Sequence, residues 1–246
     1  MANNFPILIT TCIHSSAPLT QISETKVRLS AVIEGLKFLS QHIDVEREIV
    51  ICDGSGYNFN EEMDYINSVF SNVEVLYFKN DDALVSLKGK GFGEGQIIKY
   101  ALQESVYLKS AEHFIKLTGK LWVSNILECE EKYNGFAYFM IDNPIKPLKV
   151  DTKFYIVQKK FFNNTLLEVY ESVDDLNGYY LEHAYFEQLI NSTGNCNVFS
   201  GHFYPEIFGL SGSTGKSYAP DLKKMRTKNF KYKLKLYIGT LLRIFK

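Results

Sequence analysis

Short apolar runs alternate with longer segments of helical periodicity in the first half of the chain. The runs predict strands at residues 7–11, 48–52, 73–78 and 113–117, and the segments between them predict helices at 23–40, 60–70 and 97–106. The first run is apolar throughout, which is typical of a central strand in a parallel sheet. Alternation of this kind predicts an α/β fold with a doubly wound sheet, whose ligands lie beyond the carboxyl ends of the strands.

The second half of the chain is less regular. It predicts a helix at 122–133, strands at 135–141 and 153–157, and a helix at 179–190. Residues 195–203 are predicted to be extended, residues 202–217 to form a loop, and residues 231–246 to form a last helix. In the first predicted helix, an apolar stripe defines the face that we expect to be buried, formed by Val27, Ala31, Ile33, Leu36 and Leu39.

A glycine-rich segment at residues 89–95 precedes the third predicted helix. We interpret it as a loop whose backbone amides, together with the following helix N-terminus, bind an anionic ligand. It does not match the dinucleotide motif GxGxxG, because the third glycine position falls on Glu94 or Gln96. Residues 212–217 do not form a P-loop either, because Leu210 stands where its first glycine is required. A loop at 211–216 that closes over a diphosphate is compatible with the sequence.

Charge is unevenly distributed along the chain, whose formal net charge is −1. Nine of the 27 lysines and arginines lie between residues 222 and 246, which contain no acidic residue, so 18 basic residues remain against 28 acidic ones and the body carries −10. This tail also has an apolar stripe at helical spacing, formed by Leu234, Tyr237, Ile238, Leu241, Leu242 and Phe245. The pattern favours a basic amphipathic helix on an anionic membrane surface over packing against the acidic body. Nucleic-acid binding is disfavoured because the body is acidic.

Cellular location follows from two further features. The four cysteines lack paired CxxC spacing, which disfavours a zinc site. The first six residues form a short polar segment that does not resemble a signal peptide. We therefore expect a cytoplasmic protein that is peripheral on the inner face of the cell membrane.

Several segments resemble a family of nucleotide-sugar enzymes. EIVICDGSG and PILITTCIH are similar to the second and first strands of glycosyltransferases with the GT-A fold. Together with HFIKLTGKLWV, YYLEHAYFE and GLSGSTGKSY, they resemble bacterial transferases of O-antigen and capsular polysaccharide synthesis over residues 5–218. The resemblance implies a GT-A-like (Rossmann-like) doubly wound mixed sheet. It divides the chain into a nucleotide-sugar-binding half, an acceptor-side half and a basic tail, at residues 1–120, 121–221 and 222–246.

The resemblance also implies roles for residues at the strand ends. Base and ribose would be held after the first two strands, by Thr10, Thr11, Cys12, Asp53 and Gly54. Asp53 would accept a hydrogen bond from the base, although an Asx-turn explains this residue equally well. The diphosphate would be bound by lysines and small residues, namely Lys88, Lys90, Gly91, Gly93, Lys116, Thr118, Gly119 and Lys120, of which Lys116 and Lys120 are favoured. Glu94 would begin the helix or accept a sugar hydroxyl, because a carboxylate repels phosphate.

One departure from the family concerns the metal. Metal-dependent relatives carry Asp-x-Asp where this chain has Lys116-Leu117-Thr118. A lysine cannot ligate Mg²⁺ or Mn²⁺, which require oxygen ligands. We therefore expect no cofactor and a diphosphate neutralised by lysines and backbone amides. The alternative is a cation held by Asp142 or Asp151.

The catalytic base is predicted on the helix at 179–190. Glu182 and His183 occupy the place where related inverting enzymes carry an acidic residue that faces the acceptor, whereas Glu187 would point elsewhere. An exposed helical glutamate explains Glu182 almost as well, and His202 with Glu206 forms a second possibility.

Together these features predict a transferase. It would move sugar from a nucleotide diphosphate sugar, with UDP favoured, to a lipid-linked or cell-surface glycan, with inversion. A non-catalytic nucleotide- or glycan-binding module of a membrane-associated synthesis complex is the alternative. Such a module would bind nucleotide without turnover.

Overall fold

The computed structural model describes residues 4–15, 17–18, 20–133, 135–193, 204–212, 215, 217–218 and 222–244. Its strands are β1 (Ile7–Thr11), β2 (Glu48–Asp53), β3 (Asn72–Tyr77), β4 (His113–Thr118), β5 (Leu121–Val123), β6 (Ala137–Ile141), β7 (Val150–Gln158) and β8 (Ile207–Gly209). Its helices are α1 (Thr25–Leu39), α2 (Met63–Val69), α3 (Asp82–Lys88), α4 (Lys90–Glu104), α5 (Val106–Ser110), α6 (Ile126–Glu131), α7 (Lys159–Thr165), α8 (Leu181–Thr193) and α9 (Leu222–Ile244).

Six strands form one central sheet in the order β3-β2-β1-β4-β7-β6. The strands from β3 to β4 in this order pair in parallel, whereas β7 is antiparallel to both β4 and β6. The predicted α/β class with a doubly wound mixed sheet is confirmed. From β1 the chain adds β2 and β3 on one side, and then returns to add β4 on the other side of β1. Open α/β sheets bind their ligands in the crevice at such a switch point.

Alternation along the strands produces two apolar layers. In β1, Ile7 and Ile9 pack on one face with Val32 and Leu36 of α1, while Leu8 packs on the other with α4 and α8. All five β1 residues are buried, in agreement with the central position predicted for this strand. Helices cover the two faces of the sheet, as in other layered α/β folds.

The glycine-rich segment is helical and not the predicted loop. Residues 90–95 form the first turns of α4, and the chain turns into this helix at Gly89, which has a φ of 103°. A Cβ atom at Gly95 would lie 2.1 Å from Cβ of Tyr170. Tertiary packing therefore requires glycine here, and the low helix propensity of glycine is overridden by close contact with a neighbouring element.

The second half differs from the prediction at three places. The predicted helix at 122–133 begins as strand β5, and only residues 126–131 are helical. The predicted loop at 202–217 contains β8, which pairs with β5 in a separate two-stranded sheet. The prediction for 195–203 lies outside the described residues. Helix α9 begins at residue 222, nine residues before the predicted start of the last helix.

Helix α9 is held to the body by one side. Met225 and Tyr232 are buried, and the Tyr232 hydroxyl accepts a hydrogen bond from the Ile141 amide. Other apolar side chains of α9 are exposed, namely Phe230, Leu234, Tyr237 and Ile238. In the part of the chain that the structure describes, we find no helix of sufficient length and apolar character to cross a bilayer.

Candidate functional site

A cavity of about 200 Å³ lies at the switch point of the sheet, where the carboxyl ends of β1 and β4 meet the amino end of β7. Ten of the predicted site residues line it, namely Thr10, Thr11, Cys12, Gly54, Lys90, Gly93, Glu94, Thr118, Lys120 and Glu182. Six others do not, namely Asp53, Lys88, Gly91, Lys116, Gly119 and His183. The strand-end residues are therefore brought together largely as the sequence indicates.

Asp53 is fully buried and organises the loops after β1 and β2. One carboxylate oxygen accepts hydrogen bonds from the Thr11 hydroxyl at 2.7 Å and the Ile13 amide at 2.9 Å. The other accepts from the amides of Ser55 and Tyr57, at 2.8 and 3.1 Å. This is the Asx-turn that the sequence left open as an alternative, and it leaves the carboxylate pointing at the protein's own backbone.

Lys116 lies beneath the cavity and not on its surface. Its side chain is fully buried, and its ammonium pairs with Glu94. The same ammonium donates to the Thr118 hydroxyl at 3.0 Å and to the Thr152 carbonyl at 2.7 Å. A lysine satisfied in this way has no donor to offer a ligand, so the prediction that Lys116 contacts the diphosphate does not agree with its position. Its effect on the cavity is indirect, because it fixes the carboxylate of Glu94.

The N-terminus of α4 is occupied by a carboxylate of the protein itself. Asp175 accepts a hydrogen bond from the Gly91 amide at 3.0 Å, and burial raises the pKa of this aspartate. The Lys88 ammonium donates to the carbonyl of Glu171, on the same side. The predicted phosphate contacts of Lys88 and Gly91 therefore do not agree with the structure, because both groups are engaged away from the cavity.

Lys120 is one of the predicted phosphate ligands that line the cavity, together with Lys90, Gly93 and Thr118. Burial and the neighbouring Arg28 guanidinium lower its pKa to about 8. Arg28 is itself buried and lines the same cavity, and burial lowers its pKa also. Among the described residues neither cation has a carboxylate within salt-bridge distance.

Arg28 was not predicted as a site residue. Its Nε donates to the Cys12 carbonyl at 2.6 Å and its Nη1 to the Ile22 carbonyl at 2.9 Å, which orients the guanidinium at the end of β1. The buried face of α1 consists of Arg28, Ala31, Val32, Gly35, Leu36 and Leu39. The sequence does contain a signal for Arg28, because this residue lies in register with the apolar positions on the buried face of α1. The predicted stripe, however, began at Val27, which is 39 % exposed.

Glu182 lines the cavity from α8, on the β7 side. Its carboxylate accepts a long hydrogen bond of 3.4 Å from the Thr152 hydroxyl. Burial raises the pKa of Glu182, and the carboxylates of Glu94 and Asp151 raise it further. A carboxyl group with a raised pKa beside a cavity is suited to accept a proton from a bound hydroxyl.

His183, in contrast, does not reach the cavity. Its Nδ1 accepts a hydrogen bond from the Tyr180 amide at 3.2 Å, and its ring stacks on Tyr180. His183 therefore stabilises the start of α8. The alternative pair is not assembled either, because Glu206 accepts from the Ser124 hydroxyl at 2.6 Å away from the cavity, and His202 lies outside the described residues.

The two aspartates that the sequence offers as ligands of a divalent cation both pair with lysines. No group of three potential metal-binding side chains occurs among the described residues. Asp142 pairs with Lys149 at 3.7 Å, and Asp151 pairs with Lys153. Both candidate aspartates thus have lysine partners, and neither lines this cavity.

Chemically, the cavity joins two kinds of group. Arg28 and Lys120 provide positive charge without a salt-bridge partner among the described residues, and Glu182 provides a proton acceptor. Charge of this kind favours an anionic ligand, and it stabilises negative charge that develops when such a ligand becomes a leaving group.

No family model and no curated protein matches the chain. Solved structures with a similar arrangement include the bifunctional glycosyltransferase WbbM, at 11% identity over 77% of this chain and 38% of that chain, with a TM-score of 0.45. The galactosyltransferase LgtC with donor and acceptor sugar analogues matches at 11% identity, over 75% of this chain and 70% of that chain, with a TM-score of 0.47. The inositol-1-phosphate CTP transferase of T. maritima matches at 10% identity, over 78% and 83%, with a TM-score of 0.46. These likenesses are loose and concern the general arrangement of strands and helices.

Proposed function

We propose that this chain is a glycosyltransferase that moves sugar from a nucleotide diphosphate sugar to a glycan acceptor. One observation supports the proposal above the others: Arg28 and Lys120 are two cations without a carboxylate partner among the described residues, side by side in a cavity at the switch point of the sheet. Leaving a buried charge unpaired costs folding free energy unless a ligand compensates it. A diphosphate supplies that compensation in the place where doubly wound sheets bind nucleotides.

In the proposed reaction the two cations take over the task that a divalent metal performs in metal-dependent enzymes. They would hold the diphosphate in the ground state and stabilise its additional charge as the glycosidic bond breaks. Glu182 would remove the proton of the attacking acceptor hydroxyl, which corresponds to transfer with inversion at the anomeric carbon. Glu94, which pairs with Lys116 and lines the cavity, would accept a hydrogen bond from a hydroxyl of the transferred sugar. A UDP-sugar is the favoured donor.

The proposed acceptor is a glycan linked to a lipid of the membrane. Helix α9 exposes Phe230, Leu234 and Tyr237, and its described residues are rich in lysine and contain no acid. An apolar and basic helix face of this kind binds the interface of an anionic bilayer. The enzyme would therefore be peripheral on the cytoplasmic face of the membrane, as the sequence predicts.

Thermal unfolding with a panel of nucleotides tests this function. UDP, GDP, CMP, dTDP and ADP are added separately, each with EDTA and with Mn²⁺, since a ligand that binds the native state raises the Tm. We expect one diphosphate nucleotide to raise the Tm in EDTA. A rise that requires Mn²⁺ would contradict the metal-independent mechanism. Binding without turnover of the matching nucleotide sugar would favour a non-catalytic module, and no rise with any nucleotide would refute the donor site.

A further inference from the structure

A second cavity, of about 240 Å³, lies between α9 and the ends of β6 and β7. Its polar lining includes Asp142, Asp151, Tyr204, Lys228, Lys231 and Lys235. The three lysines are spaced i, i+3 and i+7 along α9 and so lie on one side of the helix.

The charges in the second cavity are only partly compensated. Asp142 and Asp151 already pair with lysines of the sheet, Lys149 and Lys153. Lys228 donates to the carbonyl of Tyr218 at 2.7 Å. The side chains of Lys231 and Lys235 have neither a hydrogen bond nor an ion pair with any described residue. Two ammonium groups thus remain available for an anionic group that enters the cavity.

One ion pair joins a residue that lines the first cavity to a residue that lines the second. Lys153 lines the first cavity and Asp151 lines the second, and the two side chains pair with each other. The exposed apolar residues Leu234 and Ile238 lie on α9 beside the lysines of the cavity. A ligand in the second cavity can therefore reach toward the donor site at one end and toward an apolar surface at the other.

We propose that the second cavity binds the phosphate or diphosphate headgroup of a lipid-linked acceptor. This inference rests on the proposed function, because it assigns the acceptor's headgroup to a site next to the donor. Lys231 and Lys235 bind the phosphoryl oxygens as point charges, and the lipid chain continues over Leu234 and Ile238. The arrangement orients the acceptor glycan toward Lys153 and the first cavity.

Calorimetric titration with decyl diphosphate, below its micelle concentration, tests the headgroup site. We compare the full chain with Lys231→Gln/Lys235→Gln and with the matched control Lys223→Gln/Lys233→Gln, which removes two exposed charges of α9 that do not line the cavity. The first variant should bind about tenfold more weakly or worse, and the control within about twofold of the unmodified chain. An equal loss in both variants would overturn the proposal, because it would indicate a diffuse charge effect.

Two further titrations separate this site from its alternatives. Inorganic pyrophosphate reports binding of a free anion, and affinity equal to that of decyl diphosphate would overturn the lipid-linked ligand. The variant Lys120→Gln removes a cation of the first cavity, and retained decyl diphosphate binding in it supports the second cavity as the site. If no nucleotide binds but the affinity for decyl diphosphate still depends on Lys231 and Lys235, the donor assignment fails and the headgroup site stands. If nucleotide binds and decyl diphosphate does not, only the headgroup site fails.

Discussion

Burial, together with the guanidinium of Arg28, lowers the pKa of Lys120 to about 8. Arg28 has carbonyl groups as its partners, those of Cys12 and Ile22, and these orient the guanidinium without neutralising it. The folded chain thus maintains two like charges close together at the end of β1 and β4. An arrangement of this kind destabilises the ligand-free protein and strengthens the binding of an anion.

Replacing Lys120 should weaken nucleotide binding without lowering the free energy of unfolding. Lys120→Gln is expected to weaken the binding of the matching diphosphate nucleotide at least tenfold, because a charge-assisted contact is lost. It should leave the free energy of unfolding unchanged or higher, since a poorly solvated cation is removed. Titration calorimetry and chemical denaturation measure the two quantities. The control is Lys26→Gln, an exposed lysine on the same helix as Arg28, which should alter neither. Equal affinity in both variants would contradict the role of Lys120.

The low pKa of Lys120 also predicts a pH dependence. Nucleotide affinity should fall as pH rises above about 8, because the ammonium loses its proton, and Lys120→Arg should remove this decline. Stability of the ligand-free chain should change in the opposite direction. Between about 8 and the ordinary value of 10.5 the unfolded chain binds more protons at this residue, so its contribution to the free energy of unfolding rises with pH. Denaturation of the unmodified chain and Lys120→Gln across this range should show a difference in slope.

Glu182 is expected to act in the transfer step and not in nucleotide binding. Glu182→Gln should lower kcat by about a hundredfold or more, the ordinary effect of removing a general base. The nucleotide-induced rise in Tm should persist. In the unmodified enzyme the rate should fall as pH falls through a pKa that lies above the ordinary 4.5, because the carboxyl must be ionised to accept a proton. Release of nucleotide from the sugar donor, measured with membrane-lipid extract as acceptor, provides the rate.

A matched control for this experiment lies on the same helix. Glu187 is exposed and accepts a hydrogen bond from the Tyr179 hydroxyl at 2.7 Å. Glu187→Gln should retain the full rate. If Glu182→Gln and Glu187→Gln transfer sugar equally fast, then Glu182 is not the base.

Asp53 should prove more important for stability than for specificity. Its carboxylate accepts hydrogen bonds from Thr11, Ile13, Ser55 and Tyr57, and in Asp53→Asn the amide nitrogen would face some of these donors. We expect the free energy of unfolding to fall by about 2–4 kcal/mol. Asp44→Asn, at an exposed turn, should cost well under 1 kcal/mol in the same denaturation experiment. A stable Asp53→Asn variant with altered preference among nucleotides would instead favour recognition of the base.

The sequence predicts those parts of the fold that depend on a local pattern. It fails where contacts between residues far apart in the chain determine the structure. The strands of the central sheet are found because a buried parallel strand is a short apolar run that needs no partner to be recognised. The helical state of 90–95 is missed because it depends on contacts with Tyr170 and Asp175, about eighty positions away. Within the site, the sequence predicts phosphate contacts for both Lys116 and Lys120, and only the structure shows that Lys116 pairs with Glu94 while Lys120 has no carboxylate partner among the described residues.

Membrane binding by α9 provides the last prediction. Leu234 and Tyr237 are 49 and 65 % exposed on a helix whose lysines surround them. Vesicles that contain phosphatidylglycerol should therefore bind the chain, and vesicles of phosphatidylcholine alone should bind it weakly. Binding should also weaken as salt is added, because mobile ions screen the lysines. Leu234→Ser/Tyr237→Ser is expected to weaken co-sedimentation with the anionic vesicles about tenfold, since apolar surface no longer enters the interface. Leu127→Ser, an equally exposed leucine on α6, should have no effect. Vesicle binding that survives the double substitution but disappears in high salt would leave only an electrostatic association, and the apolar face of α9 would then have no part in it.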